Sequence, residues 1–201
     1  SSTSDEEISN VTVGSMNNTS NCTTAATGAG SVLNRYANYS GVVTGPSAMQ
    51  GSSVNFSLTQ TSCGGAYDNI FQLYVDWNQD GDFIDSGEEL YNSTSNSNTI
   101  SIPSTLKQDN FYRIRWVAEN GSGSAPSCGT ISSGETKDYA LQILQASKDF
   151  TAVSVAQLTA GFCASTGSTS FIAKVRNIGS LTQTNVPVVL DIKSGSTLVG
   201  T

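Results

Sequence analysis

The chain has 201 residues, of which only 12 % are charged, and its formal net charge is −7. With nine Lys and Arg in all, there is no basic stripe to release counterions from nucleic acid or to hold an anionic membrane surface. Histidine is absent, which removes the Ser-His-Asp and Cys-His nucleophile schemes, the imidazole general base and the usual zinc shells.

Period-two alternation dominates, and no helical periodicity outlasts a turn. The expected strands of the first part are Ile8–Val13, Ser53–Thr59, Asn69–Trp77, Thr99–Ile102, Phe111–Ala118 and Lys137–Leu144. Their inward faces read Val54, Phe56 and Leu58; Phe71, Leu73, Val75 and Trp77; and Tyr112, Ile114 and Trp116. Arg113, Arg115 and Asp76 then face the other way. The stretch Ser20–Gly51 is weakly patterned, and a further strand or crossing is expected near Tyr36–Val43. Trp77 and Trp116 fit the inward alternation, so Tyr36, Tyr39 and Tyr67, read as loop residues, are the candidates for an exposed aromatic patch. Short strands between Gly-, Ser- and Asn-rich connections predict an all-β fold, an antiparallel β-sandwich of jelly-roll or immunoglobulin-like type.

The most informative segment is DWNQDGDFIDSGE, residues 76–88. It sets Asp76, Asn78, Asp80 and Asp82 at alternate positions, with Gly81 where a chain wrapping an ion must turn. Calcium takes six to eight oxygens, and such a loop supplies carboxylate and amide oxygens at close quarters. The first half follows the EF-hand loop pattern; its twelfth position is Gly87, and the closing carboxylate arrives one residue late at Glu88. Asp85 is a further ligand candidate. The competing reading is a solvated acidic turn. A structural calcium ion is the expected cofactor, and with the carboxylates so occupied no catalytic residues and no enzyme activity are expected.

A composition shift near Gln145–Asp149 divides the chain into residues 1–147 and 148–201. Beyond it, Phe150–Gln157, Ser168–Arg176 and Asn185–Ile192 are expected as strands of a partial immunoglobulin-like sandwich. The chain shows no apolar run long enough to span a bilayer and no signal peptide, and it reads as a piece of something longer.

Four segments in order, EISNVTVGSMNNTS, YVDWNQDGDFIDSGEELY, YRIRWVAEN and SCGTISSGETKDYALQI, resemble the GEVED domain family over about residues 6–146. GETKDY stands where the family name is spelled, with Thr136 and Lys137 at its middle letters. VSVAQLTAGFCASTGSTSFIAKVRNIGS is similar to the start of a CARDB-like immunoglobulin-type module. The resemblance implies a calcium-associated, non-catalytic structural or adhesive module of a large secreted or cell-surface bacterial protein, an adhesin, often one exported by type IX secretion. Its expected partners are neighbouring domains of the same chain, with glycans or cell-surface proteins beyond them, and neither nucleic acid nor membrane insertion. The alternative is an ancillary domain of a secreted protease or glycoside hydrolase that binds substrate or carbohydrate or acts as a spacer.

The family motif carries a geometric expectation. If Asn69–Trp77 and Lys137–Leu144 are antiparallel neighbours, Glu135 and Asp138 approach the acidic loop and complete the ion's shell. The other expectation for them is a cross-strand salt bridge to Arg113 or Arg115. Of Cys22, Cys63, Cys128 and Cys163, three fall in the first domain and one in the second, so two closed intradomain bridges are impossible within this chain. On the antiparallel arrangement Cys63 and Cys128 sit at opposite ends, which favours Cys22–Cys63.

Overall fold

A computed structural model of the chain describes residues 6–65, 68–107, 109–121, 125–144, 148–157, 171–179, 181–194 and 196–200. The described residues contain strands and no helix. The chain divides into two compact units, residues 1–145 and 146–201.

The first unit is a sandwich of two sheets. One holds β1 (Glu6–Val13), β2 (Met16–Thr19), β5 (Ser53–Ser62) and β8 (Ser97–Ser101) in the order β2-β1-β5-β8. The other holds β3 (Tyr36–Asn38), β4 (Ser47–Met49), β6 (Asn69–Val75), β7 (Glu89–Ser93), β9 (Asn110–Asn120) and β10 (Gly134–Leu144). Its order is β3-β10-β9-β6-β7, with β4 following β3 along the same edge of β10.

Alternation puts Ile8, Val11 and Val13 of β1 and Phe56 and Leu58 of β5 against Phe71, Leu73, Val75, Tyr112, Ile114, Trp116, Tyr139, Leu141 and Ile143 of the facing sheet. The core side chains of β5, β6, β9 and β10 recur at every second position, as a pleated surface facing another sheet requires, while in β1 a register shift between Ile8 and Asn10 offsets the alternation. Trp116 is fully buried, its ring 4.6 Å from that of Phe56 across the interface. The inward faces expected for β5, β6 and β9 are those observed. Strand β6 is buried on its outer face as well, because Tyr74, Phe83, Val117, Ala125 and Ile131 form a second, smaller core there.

Three expectations need correction. Strands β6 and β10 are not neighbours: both are antiparallel to β9, which lies between them, so they run parallel to each other. Tyr36 opens β3 instead of lying in a loop and is half-buried, and Tyr39 is buried with its ring stacked on Tyr139 at 5.2 Å, so Tyr39 belongs to no exposed aromatic patch. Tyr67 lies outside the described residues. A strand or crossing was expected near Tyr36–Val43, and β3 is that strand. β2, β4 and β7 were not expected; three to five residues are too few for a period to show.

In the second unit, β11 (Phe150–Gln157) pairs antiparallel with β12 (Phe171–Asn177), and β13 (Ile192–Ser194) with β14 (Thr197–Gly200). The strand expected at Asn185–Ile192 is absent. Asn185 has a positive φ of 55°, and Pro187 offers no ladder donor, so the pairing begins only at Ile192.

Candidate metal centre and the GEVED segment

The loop from Asp76 to Glu88 leaves the end of β6 and returns at β7. Two buried carboxylates fasten its ends. Asp76 accepts the backbone N–H of Gln79 at 2.6 Å and of Gly81 at 3.2 Å. Glu88 accepts the N–H of Trp77 at 3.0 Å and of Asp85 at 3.3 Å. Burial raises the Glu88 pKa above the ordinary carboxyl value, opposed by these backbone donors. Gly81 has a φ of +98°, the left-handed region that a Cβ disfavours, which is why the turn carries glycine there.

Between the fastened ends, each short polar side chain caps the backbone two residues on. Asn78 Oδ1 accepts from the Asp80 N–H, Asp80 Oδ1 from Asp82, and Asp82 Oδ1 from Ile84, at 3.0–3.1 Å. This winding gathers one carboxylate oxygen each from Asp80, Asp82 and Asp85 within 4.8 Å of one another. The Asn78 amide donates to both Asp80 and Asp85. Among the described residues no Lys or Arg forms a salt bridge with these carboxylates. Gln79 braces the loop on β9, donating to the Phe111 carbonyl and accepting from Asn110.

Phe83 turns inward from the loop and packs on Tyr74 in the outer core. Above its ring lies Arg115, whose Nε and Nη2 both donate to Asp138 at 2.7 Å. Asp138 also accepts from the Tyr36 hydroxyl at 2.8 Å. Burial works against the Arg115 charge, but Asp138 outweighs it and the guanidinium pKa is raised.

The family model of the GEVED domain matches residues 70–142. No curated protein and no solved structure matches the chain. The GEVED match starts in β6, takes in the acidic loop and β9, and ends in β10.

The GEVED letters themselves open β10. Gly134 has a φ of +129°, and a Cβ there would stand 1.9 Å from the Ala118 carbonyl oxygen, so the close approach of β9 requires glycine. Glu135 and Lys137 point between the sheets, while Thr136 and Asp138 point to the outer face. The register sets Glu135 opposite Ala118, and Ala118 opposite Phe71, five residues before Asp76. That is about 17 Å along the strands and two strands across. Asp138 is level with Tyr74 and fully engaged by Arg115 and Tyr36. Neither Glu135 nor Asp138 reaches the acidic loop: the intervening β9 separates them, and the cross-strand salt bridge Arg115–Asp138 forms instead.

A disulfide joins Cys22 and Cys63. That pairing was expected, but on a different geometry: with β6 and β10 parallel, Cys63 and Cys128 come at the same end of the second sheet. Cys63 lies beside Glu7, whereas Cys128 is exposed, free and next to Arg115. Cys163 lies outside the described residues.

Neither Glu7 nor Lys137 as an inward charge was among the expected site residues. Lys137 alternates with Tyr139, Leu141 and Ile143, all core residues, and a charge on that face demands a buried partner.

Proposed function

We propose that the chain is a calcium-stabilised, non-catalytic structural and adhesive module of a large secreted or cell-surface bacterial protein. The observation that carries this reading is the convergence of the Asp80, Asp82 and Asp85 oxygens with no basic partner among the described residues. Like charges at such spacing repel, and a cation between them reverses the sign of the interaction. Oxygens bound to one calcium ion at 2.3–2.6 Å stand at most about 5 Å apart, and these three oxygens lie within 4.8 Å of one another. Asp80, Asp82 and Asp85 would hold the ion. Asn78 would join them on turning its amide oxygen inward, and Asp76 and Glu88 would keep the loop wound. The donor set is all oxygen, which suits calcium and not zinc. The Cys22–Cys63 bridge agrees with an oxidising, extracellular setting.

The test is thermal unfolding with excess calcium and after chelation, in wild type and in Asp80→Ala. An ion bound only by the native state stabilises it by about 2.7 kcal/mol at a hundredfold excess over its dissociation constant. The melting point of wild type is expected to rise with calcium and that of the variant to stay put. Superimposable wild-type melts would remove the ion from the account.

A second reading, an ancillary domain of a secreted hydrolase that binds carbohydrate, draws support from an open cleft of about 310 Å³ on the outer face. Arg35, Tyr36, Arg115, Ser127 and Thr130 line it. Tyr36→Ala would then abolish binding on a glycan array in protein that still melts cooperatively.

A further inference from the structure

Between the sheets, one amine and two carboxyl groups share a site closed to solvent. Lys137 Nζ stands 3.3 Å from Glu135 Oε2 and 3.6 Å from Glu7 Oε1, and the three side chains are 1 %, 4 % and 2 % exposed. The amine also donates to the Ser20 hydroxyl and lies 5.6 Å from the centre of the Tyr39 ring. Glu135 Oε2 accepts the Ile8 N–H at 2.9 Å. One ammonium faces two carboxylates, so in a medium this poor in water a further proton belongs to the site. It resides on Glu135, which burial above all lifts to about 7, with Lys137 opposing and Glu7 adding to the shift.

We propose that Lys137 and Glu7 condense into an intramolecular amide that ties β1 to β10 across the sandwich, with Glu135 as the acid–base catalyst. The Lys137 ammonium passes a proton to the Glu7 carboxylate, leaving a neutral amine beside a neutral acid. Its lone pair attacks Glu7 Cδ, and Glu135 gives its proton to the carbonyl oxygen as the tetrahedral centre forms. Glu135 then takes a proton from the nitrogen and returns it to the departing hydroxyl, which leaves as water; as the C=O bond re-forms, the proton on its oxygen goes back to Glu135. The balance is one ammonium plus one carboxylate giving one amide and one water, with Glu135 restored. No oxidant, metal or nucleotide enters.

The geometry assigns the roles. Lys137 Nζ stands 3.6 Å from Glu7 Oε1, so a small shift brings it within the separation of about 3–3.5 Å at which attack begins, and the fold holds the pair together without a second molecule to bind. Glu7 is the electrophile because it reaches the amine from the facing sheet. Glu135 shares a strand with Lys137, two residues away, and its Oε2 is fixed by Ile8, which suits a proton carrier held in place. Exclusion of solvent favours expulsion of the water and hinders its return. This site is separate from the acidic loop, and chelation leaves it untouched.

The experiment is intact mass of the full chain, unfolded and with Cys22–Cys63 reduced, after incubation of folded protein near neutral pH. Folded wild type is expected to be lighter than its sequence by one water. Digestion is expected to give a branched peptide joining the segments that contain Glu7 and Lys137. Lys137→Arg is expected at full mass. So is Glu135→Gln, which keeps an acceptor for Ile8 but carries no proton to transfer. Wild type at full mass, with its disulfide formed and a cooperative melt, overturns the proposal. So does a water loss that maps to a linear peptide. A branched peptide that persists in Glu135→Gln overturns the role given to Glu135.

Discussion

The guanidinium of Arg115 lies 4.7 Å from the centre of the Phe83 ring. Phe83 belongs to the acidic loop, and the same guanidinium grips Asp138 of the GEVED letters. The loop and the motif therefore communicate through a stacked cation and not through a shared ion. An exposed turn acquires a buried foot, and Arg115 holds that foot against the sheet.

Removing Asp138 strands the Arg115 charge in a site where the carboxylate is 1 % exposed. Breaking a buried pair from one side costs about 3–5 kcal/mol. Asp138→Ala is expected to lower the urea midpoint by that measure, and Asp138→Leu combined with Arg115→Met is expected to lose less than the two single changes summed. A loss from Asp138→Ala no larger than that of an ordinary surface substitution would show the pair to be solvated.

Glu135 makes stability depend on pH in an unusual direction. Its folded-state pKa is raised from the ordinary 4.5 to about 7, so across that window the folded chain holds more protons than the unfolded one. Stability is then full below the ordinary value and falls as pH rises toward about 7. Burial is the leading cause, so the direction is the same whether Lys137 is charged or tied in an amide. Glu88, raised by burial as well, slopes the same way. Denaturant midpoints through this range should decline in wild type and decline less in Glu135→Gln; equal slopes would place the titration elsewhere.

The Cys22–Cys63 bridge closes a loop with a sequence separation of 41 residues, carrying β3, β4 and β5. The chain-entropy account assigns such a loop about 4 kcal/mol. Reduction, or Cys22→Ala with Cys63→Ala, is expected to depress the melt accordingly. An unchanged melt would mean that the unfolded chain is already constrained there.

Gly134→Ala meets both a disallowed φ and the Ala118 carbonyl. The backbone strain alone is about 1–3 kcal/mol, and the clash adds to it by prising β10 from β9. Proton exchange at Ala118 and Glu119 is expected to accelerate in the variant. Unaltered exchange would show that β9 accommodates the methyl group.

Much of the fold was legible because β5, β6 and β9 are long enough for alternation to declare a face, and because Asp76 through Glu88 carry their spacing in plain view. The positions of Glu135 and Asp138 were not legible. Local pattern marks which residues share a face but not which strand lies beside which, and the intervention of β9 between β6 and β10 is a nonlocal fact. Tyr39 misled because a tyrosine among Gly, Ser and Asn looks exposed until Tyr139 is brought over it from a hundred residues away. Lys137 could have been read: an inward-facing lysine in a run of core residues signals a buried acid, here Glu7 and Glu135.

Ile8 is level with Glu135, and Asn18, the partner of Val11, reaches the hydroxyl of Tyr139. Strands β1 and β10 thus run the same way, one starting at Glu6 and the other finishing at Leu144 at the far end of the sandwich. Tension applied between those residues acts along the strands, across ladder bonds that stand perpendicular to them in the antiparallel pairs. The rungs joining β10 to β9 would have to give way together in shear, where a chain entering and leaving at one end would unzip them singly. Force applied between Glu6 and Leu144 therefore meets its resistance in many rungs at once and not in the weakest one.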